Sequence, residues 1–253
     1  MTADVTTQTT IVRAKSVLCI PGPWQDHSAF AAAMAEAGRY LAAGGVLMDL
    51  QSQSAFNYTF ESADKRMSQA FRAAGPQLSE PLLKQIERHR SVLYLISFEL
   101  NLASANALMR AASAVLDAGG LAIKVESAGL AHTSAQWQEF CGTQAEHSAH
   151  QAFVVYVSGS TPYSCGMHNL GLFDASCAPH QRQGDAILPA NTNAAVELLR
   201  AFNWYQITEA PQLEAGMSFA TQQSGPFYHL ALAASRFVPT DPFYNAFGTW
   251  QLT

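Results

Sequence analysis

The chain has 253 residues, of which 49% are hydrophobic and only 13% charged, so it carries far too much apolar material and too little charge to stay disordered. Its formal net charge of -5, with no block of like charge along the chain, argues against a nucleic-acid binder, which needs a basic face to neutralise phosphates, and leaves a basic protein partner compatible. A surface this poor in charge must be covered largely by Ala, Ser, Gln, Asn and Thr, which suits a molecule that buries part of that surface against a partner.

Residues 1–10 are polar and threonine-rich, without the basic start and apolar run of a secretory signal, so they read as a flexible terminus on a cytoplasmic protein. Ser16 to Ile20 is a short apolar run stopped by Pro21-Gly22-Pro23, as expected of a buried strand. Asp26 then caps a helix in which Phe30, Met34, Ala37 and Leu41 recur at helical spacing, with Gly44-Gly45 as its stop. Val46 to Leu50 and Ala55 to Phe60 follow as a strand pair, the second alternating Phe56, Tyr58 and Phe60 against Asn57 and Thr59. Two helices are expected at Asp64 to Ala74 and Ser79 to His89, the second with Ser79 as cap and Pro81 in its first turn.

Val92 to Phe98 is continuously apolar, the pattern of a strand buried on both faces, and is far shorter than the roughly 20 residues that span a bilayer. It leads to an alanine-rich helix, Ala103 to Ala118, ended by Gly119-Gly120. Leu121 to Glu126 reads as a strand, Ser134 to Gln144 as an amphipathic helix with Trp137, Phe140 and Cys141, and Ala152 to Ser158 as a strand. Gly142 to Gln151 is taken as a helix end and connector, and Tyr163 to Gly184 as irregular. Thr192 caps a helix carrying Val196, Leu199 and Phe202, and strands near Met217 to Gln223 and Tyr228 to Ala234 flank the turn Ser224-Gly225-Pro226.

Interleaved helical and strand periods with hairpin turns in both halves predict an α+β fold, helices packed on mixed or antiparallel sheets, over a single domain from residue 11 to 253. Two ferredoxin-like halves divided near residues 119–130 are one arrangement of those elements.

Cys19, Cys141, Cys165 and Cys177 are too widely spread for a disulfide framework or a zinc site, so reduced thiols are expected. His147 and His150 stand three apart beside Glu146, a spacing that on a helix puts both imidazoles on one face, but no third ligand is fixed and no metal is expected. Cys165 and His168 offer a nucleophile and a base close in sequence, which as strand neighbours three apart would point to opposite faces. No phosphate-binding glycine pattern follows any strand, so no nucleotide cofactor is expected, and Asp49 and Glu99 at strand ends receive no role. Trp24, in the rigid turn after the first strand, either closes the core or anchors an interface.

The stretch Tyr163-Ser164-Cys165-Gly166-Met167-His168-Asn169-Leu170-Gly171-Leu172-Phe173-Asp174 resembles the signature of the bacterial family designated DUF4261, a Thr/Ser-x-Gly-Met/Leu-x-x-x-Gly-x-Pro-Asp/Glu pattern. Ser164, Gly166, Met167, Gly171 and Asp174 match it, while Phe173 stands where the pattern has proline. The resemblance implies an association with bacterial toxin and immunity systems, hence a non-enzymatic protein that binds and neutralises a toxin, such as a nuclease, and it brings no catalytic residues. Trp24, Tyr163, Phe173 and Asp174 are the candidate binding residues, provided the aromatic three are exposed. Two other readings stand beside this one: a hydrolase using Cys165 and His168 or a His147/His150 metal site, and a subunit that self-assembles through its apolar surface.

Overall fold

A computed structural model describes residues 14–142, 145–177, 192–223 and 225–253; the expectations for residues 1–10 and for the turn residue Ser224 lie outside them. The architecture is α+β, with seven helices among the described residues and two mostly antiparallel sheets.

The first sheet is built from β1 (Ser16–Gly22), β2 (Tyr40–Ala43), β3 (Val46–Asp49), β4 (Ala55–Ser62), β5 (Ser91–Ser97), β6 (Ala122–Val125) and β7 (Leu130–Thr133). These lie in the order β2-β3-β4-β5-β1-β6-β7, every neighbouring pair antiparallel. The central β5 is buried on both sides because helices cover both faces. Leu93 and Leu95 pack with Phe30 and Met34 of α1 (His27–Ala37), Leu108 and Val115 of α4 (Leu102–Asp117), and Trp137 of α5 (Ser134–Gly142). Val92 faces the other way, into a smaller core with Met67 and Phe71 of α2 (Met67–Ala74) and Leu83 and Ile86 of α3 (Glu80–Glu87).

Local chemistry explains where these helices start and stop. Asp26, Ser79 and Asn101 each accept a backbone N–H of the first turn, of Ala29, Leu82 and Ser104. α1 ends at Gly38, which takes the left-handed conformation at φ 78°, two turns before the expected stop. Leu41 is therefore a strand residue, and Gly44-Gly45 form the hairpin turn that pairs β2 with β3. The buried carboxylate of Asp49 closes the next turn: it takes the Arg39 guanidinium at 2.9 Å and the Ser52 hydroxyl at 3.0 Å, and Arg39 holds it well below the usual carboxylate range.

The second sheet contains β8 (Val155–Val157), β9 (Tyr163–Cys165), β10 (Asp174–Cys177), β11 (Ser218–Phe219), β12 (Tyr228–Ala233) and β13 (Thr249–Leu252), in the order β11-β12-β13-β10-β9-β8. Only β10 and β13 run parallel. Its core lies against α7 (Thr192–Glu209), whose Leu198, Leu199 and Phe202 meet Ala175, Cys177, Leu230 and Leu252.

Two sequence expectations change here. The stretch taken as a connector is α6 (Ala145–Phe153), held by Ala149, Ala152 and Phe153 in the first core, so tertiary burial rather than amphipathic spacing makes it a helix. The ferredoxin-like division near residues 119–130 does not describe the sheets: β6 and β7 complete the first one, and the change of sheet falls after α6.

Candidate functional site

The segment that carries the family-like signature forms the joint between the two sheets. After β9 the chain makes a 3-10 turn, Met167–Leu170, bounded by Gly166 at φ 105° and Gly171 at φ 76°. A Cβ at Gly166 would lie 2.0 Å from the Phe153 carbonyl oxygen, and one at Gly171 2.3 Å from that of Leu100, so both positions require glycine for space as well as for backbone conformation. Asn169 clasps the turn: its Oδ1 accepts the hydroxyls of Ser127, at 2.7 Å, and Ser16, and its Nδ2 donates to the Gly166 carbonyl at 2.8 Å. Ser164 Oγ accepts the Ala175 N–H at 2.8 Å, tying β9 to β10.

Asp174 completes the joint. Its Oδ1 accepts the Met167 N–H at 3.1 Å, and the Asn245 side chain also bonds it. Burial dominates these bonds and pushes its carboxyl up to about 7. Asp174 is thus a core residue and no rim acid, which corrects its place among the binding candidates. The same holds for Trp24: at 4% exposure it packs edge-on against Phe30 and donates its indole N–H to the Ala118 carbonyl at 2.9 Å, so it closes the core.

The pairs considered for catalysis are equally structural. The Cys165 thiol is buried and donates to the Ser127 carbonyl at 3.8 Å; burial pushes it far above the ordinary thiol range, the reverse of what a nucleophile needs. His168 is buried too, its Nδ1 has no hydrogen-bond partner, and burial lowers it to about 4. His150 Nε2 meets the Tyr156 hydroxyl at 2.7 Å, and Asn203 Nδ2 donates to that hydroxyl at 3.2 Å, which leaves the phenol proton for the imidazole. Gln206 extends the chain with bonds of 3.2 Å to Asn203 Oδ1 and to the Phe173 carbonyl. This network pins α7 to α6 and β8, while His147 packs edge-on against Trp204. Among the described residues no group of three or more His, Cys, Asp or Glu side chains is placed to hold a metal ion, and all four cysteines are free thiols.

Tyr163 and Phe173 keep part of their surface. Tyr163 is covered on one side by the Arg236 guanidinium, 3.6 Å from its ring centroid. Phe173 lines a cavity of about 160 Å³ with Leu172, Gln206, Ala210, Pro211, Leu213 and Trp250. Trp250 is 2% exposed and stacks at a tilt on Phe173, 5.4 Å between centroids, and its indole N–H has no partner. Outside the cavity the apolar surface continues. Phe247, 39% exposed, lies 6.1 Å from the Phe173 ring, and Leu232, 51% exposed, is the strand partner of Trp250. Exposed carboxylate residues Glu209 and Glu214 flank the lining segment 210–213 in sequence.

Larger grooves of about 450 Å³ lie beside Lys15, Glu126 and Asp241 and at the ends of β4 and β5, but none has an unsatisfied buried donor among its lining residues. The C-terminal residues of this site escape the sequence reading because β13 is only four residues long; the clustering of Phe243, Tyr244, Phe247 and Trp250 near the end of the chain is the signal that marks them.

No described helix is long and apolar enough to cross a membrane. No protein-family model, curated protein or solved structure matches the chain.

Proposed function

We propose that the chain is a non-enzymatic binding protein, an immunity protein that neutralises a bacterial toxin by covering it, acting in the cytoplasm. The observation that carries this reading is the group of exposed apolar side chains, Leu232 and Phe247, beside Phe173 and the cavity it lines with Trp250, with the exposed Glu209 and Glu214 flanking the lining segment 210–213 in sequence. Exposed aromatic and aliphatic side chains grouped around a pocket are the composition of an interface centre, where a few anchors supply most of the binding energy. The acidic loop and the net charge of -5 favour a basic partner, and nucleases that bind phosphate backbones are basic. Phe173 remains an anchor in this reading and Tyr163 a secondary one; the family resemblance of the 163–174 segment supplies the immunity context.

Co-expression with the product of the neighbouring reading frame tests it. The wild-type chain is expected to restore growth and to co-purify with that product, while Phe247→Asp combined with Leu232→Asp abolishes both and keeps the native circular dichroism spectrum. Growth restored equally by the double variant would remove the patch from the interface, and turnover of a substrate lost in Cys165→Ala or His168→Ala would shift the reading to a hydrolase.

A further inference from the structure

We infer that the chain of bonds His150–Tyr156–Asn203–Gln206 is an acid-sensitive latch: a proton taken up by His150 frees the C-terminal turns of α7, Asn203 to Glu209, from α6 before the rest of the protein unfolds. α7 is held differently along its length. Its Ala195, Leu198, Leu199 and Phe202 lie in the second core, whereas Ile207 is its one described residue buried in the first. What holds the later turns to α6 is therefore largely polar and aromatic: Asn203 and Gln206 in the hydrogen-bonded chain, and Trp204 against the rings of His147 and His150 at 5.8 and 5.9 Å. The far end of the chain is the Phe173 carbonyl, which Gln206 Nε2 reaches at 3.2 Å.

The latch closes only while His150 is neutral. Its Nε2 accepts the Tyr156 phenol proton at 2.7 Å, because Asn203 Nδ2 already donates to that oxygen. A protonated imidazole carries N–H on both nitrogens, so the Tyr156 oxygen then meets two donors, and none of the described bonds takes the phenol's own proton. The surrounding charges oppose the proton as well. Arg200 of α7 lies over the Tyr156 ring at 4.5 Å and, with His147 on α6 itself, disfavours a cation at His150, while the exposed Glu197 pairs with Arg200 at 3.6 Å. The other titratable groups on the elements around α6 are engaged or exposed. His132 of β7 bonds the Ala152 carbonyl, Asp117 of α4 the Gln138 amide and Cys141 of α5 the Met109 carbonyl. His168 of the 3-10 turn is buried, and Arg110, Glu139 and Glu146 are exposed.

The experiment is amide hydrogen exchange of the full-length ¹⁵N-labelled chain between pH 7 and pH 4, each rate divided by that of an unstructured peptide at the same pH. Gln206 and Ile207 are expected to be less protected than Leu95 in β5, because the latch opens locally. Their protection should fall about tenfold per pH unit as pH drops from about 6.5 toward about 4, the signature of one proton bound on opening. In His150→Gln, which keeps an acceptor and takes no proton, that slope is expected to vanish. Tyr156→Phe deletes the phenol and is expected to lower the protection of Gln206 and Ile207 about fivefold at pH 7. Protection equal to that of Leu95 at every pH, a wild-type chain without the slope, or the same slope in His150→Gln would overturn the latch, and so would unchanged protection in Tyr156→Phe.

Discussion

The joint at Gly166–Gly171 and the cavity at Phe173–Trp250 are neighbours in the second sheet, yet they are finished differently. Among the described residues two buried side-chain nitrogens lack a partner: His168 Nδ1 in the turn and Nε1 of Trp250, a residue that lines the cavity. Around His168 the turn is closed by Asn169, Asp174 and two glycines that admit no side chain. Around Trp250 there is open space and an apolar rim. The difference teaches that a conspicuous sequence pattern can mark a structural joint: here Gly166, Gly171 and Asp174 shape the turn between β9 and β10, and the cavity lies just beyond them.

The largest effect expected is at the joint. Gly166→Ala puts a Cβ against the Phe153 carbonyl at a backbone angle that only glycine adopts readily, and a loss of about 3 kcal/mol or more, read by urea unfolding, follows. A variant with an unchanged midpoint would break the contrast between joint and cavity. Asn169→Ala is next. It strands the buried hydroxyls of Ser16 and Ser127 and the Gly166 carbonyl, at about 2–4 kcal/mol.

Asp174 sharpens the comparison through pH. Its folded carboxyl, raised to about 7 by burial, binds a proton more tightly than the unfolded carboxyl near about 3.9. Its contribution is therefore fully present below the unfolded value and is lost as pH rises through about 7. His168 and His150, both lowered to about 4 by burial, have the opposite sign: their contribution is present above about 6.5 and is lost as pH falls toward 4. The slopes overlap, so the measurement is the difference between wild type and Asp174→Asn. That difference should favour wild type progressively more as pH falls from 7.5 to 4.5, in thermal or urea unfolding; a difference independent of pH contradicts the buried, protonatable carboxyl.

The smallest effect is expected in the cavity. Trp250→Phe removes an N–H that bonds nothing but also part of a ring that is 2% exposed in the second core, so a loss of about 1–2 kcal/mol is expected, below that at Asn169. A loss as large as that at Asn169 would break the contrast between the closed joint and the cavity.

Much of the fold is legible because its signals are local. The Asp26 and Ser79 caps, the continuous apolar run of β5 and the alternation of β4 each act within a few residues. What misleads is glycine used at a distance. Gly44-Gly45 looks like a helix stop and is a hairpin turn, because Gly38 has already ended α1 and Leu41 has changed period. α6 fails as a sequence signal because its Ala149, Ala152 and Phe153 are held by a core assembled from distant helices and strands.

By itself the sequence determined the mixture of helices and strands, the hairpin character of the sheets and the spacing that makes Gly166, Gly171 and Asp174 a pattern, since each depends on neighbours within one turn or one strand. Tertiary structure decided which aromatic residues are core and which are surface. Trp24 and Phe173 are alike as isolated residues, but Trp24 meets Phe30 and the Ala118 carbonyl on the covered face of the first sheet, whereas Phe173 meets Trp250, Phe247 and an unfilled space at the end of α7. Burial is a property of what the rest of the chain brings alongside, and β13, seventy-five residues downstream of β10 in register, brings it.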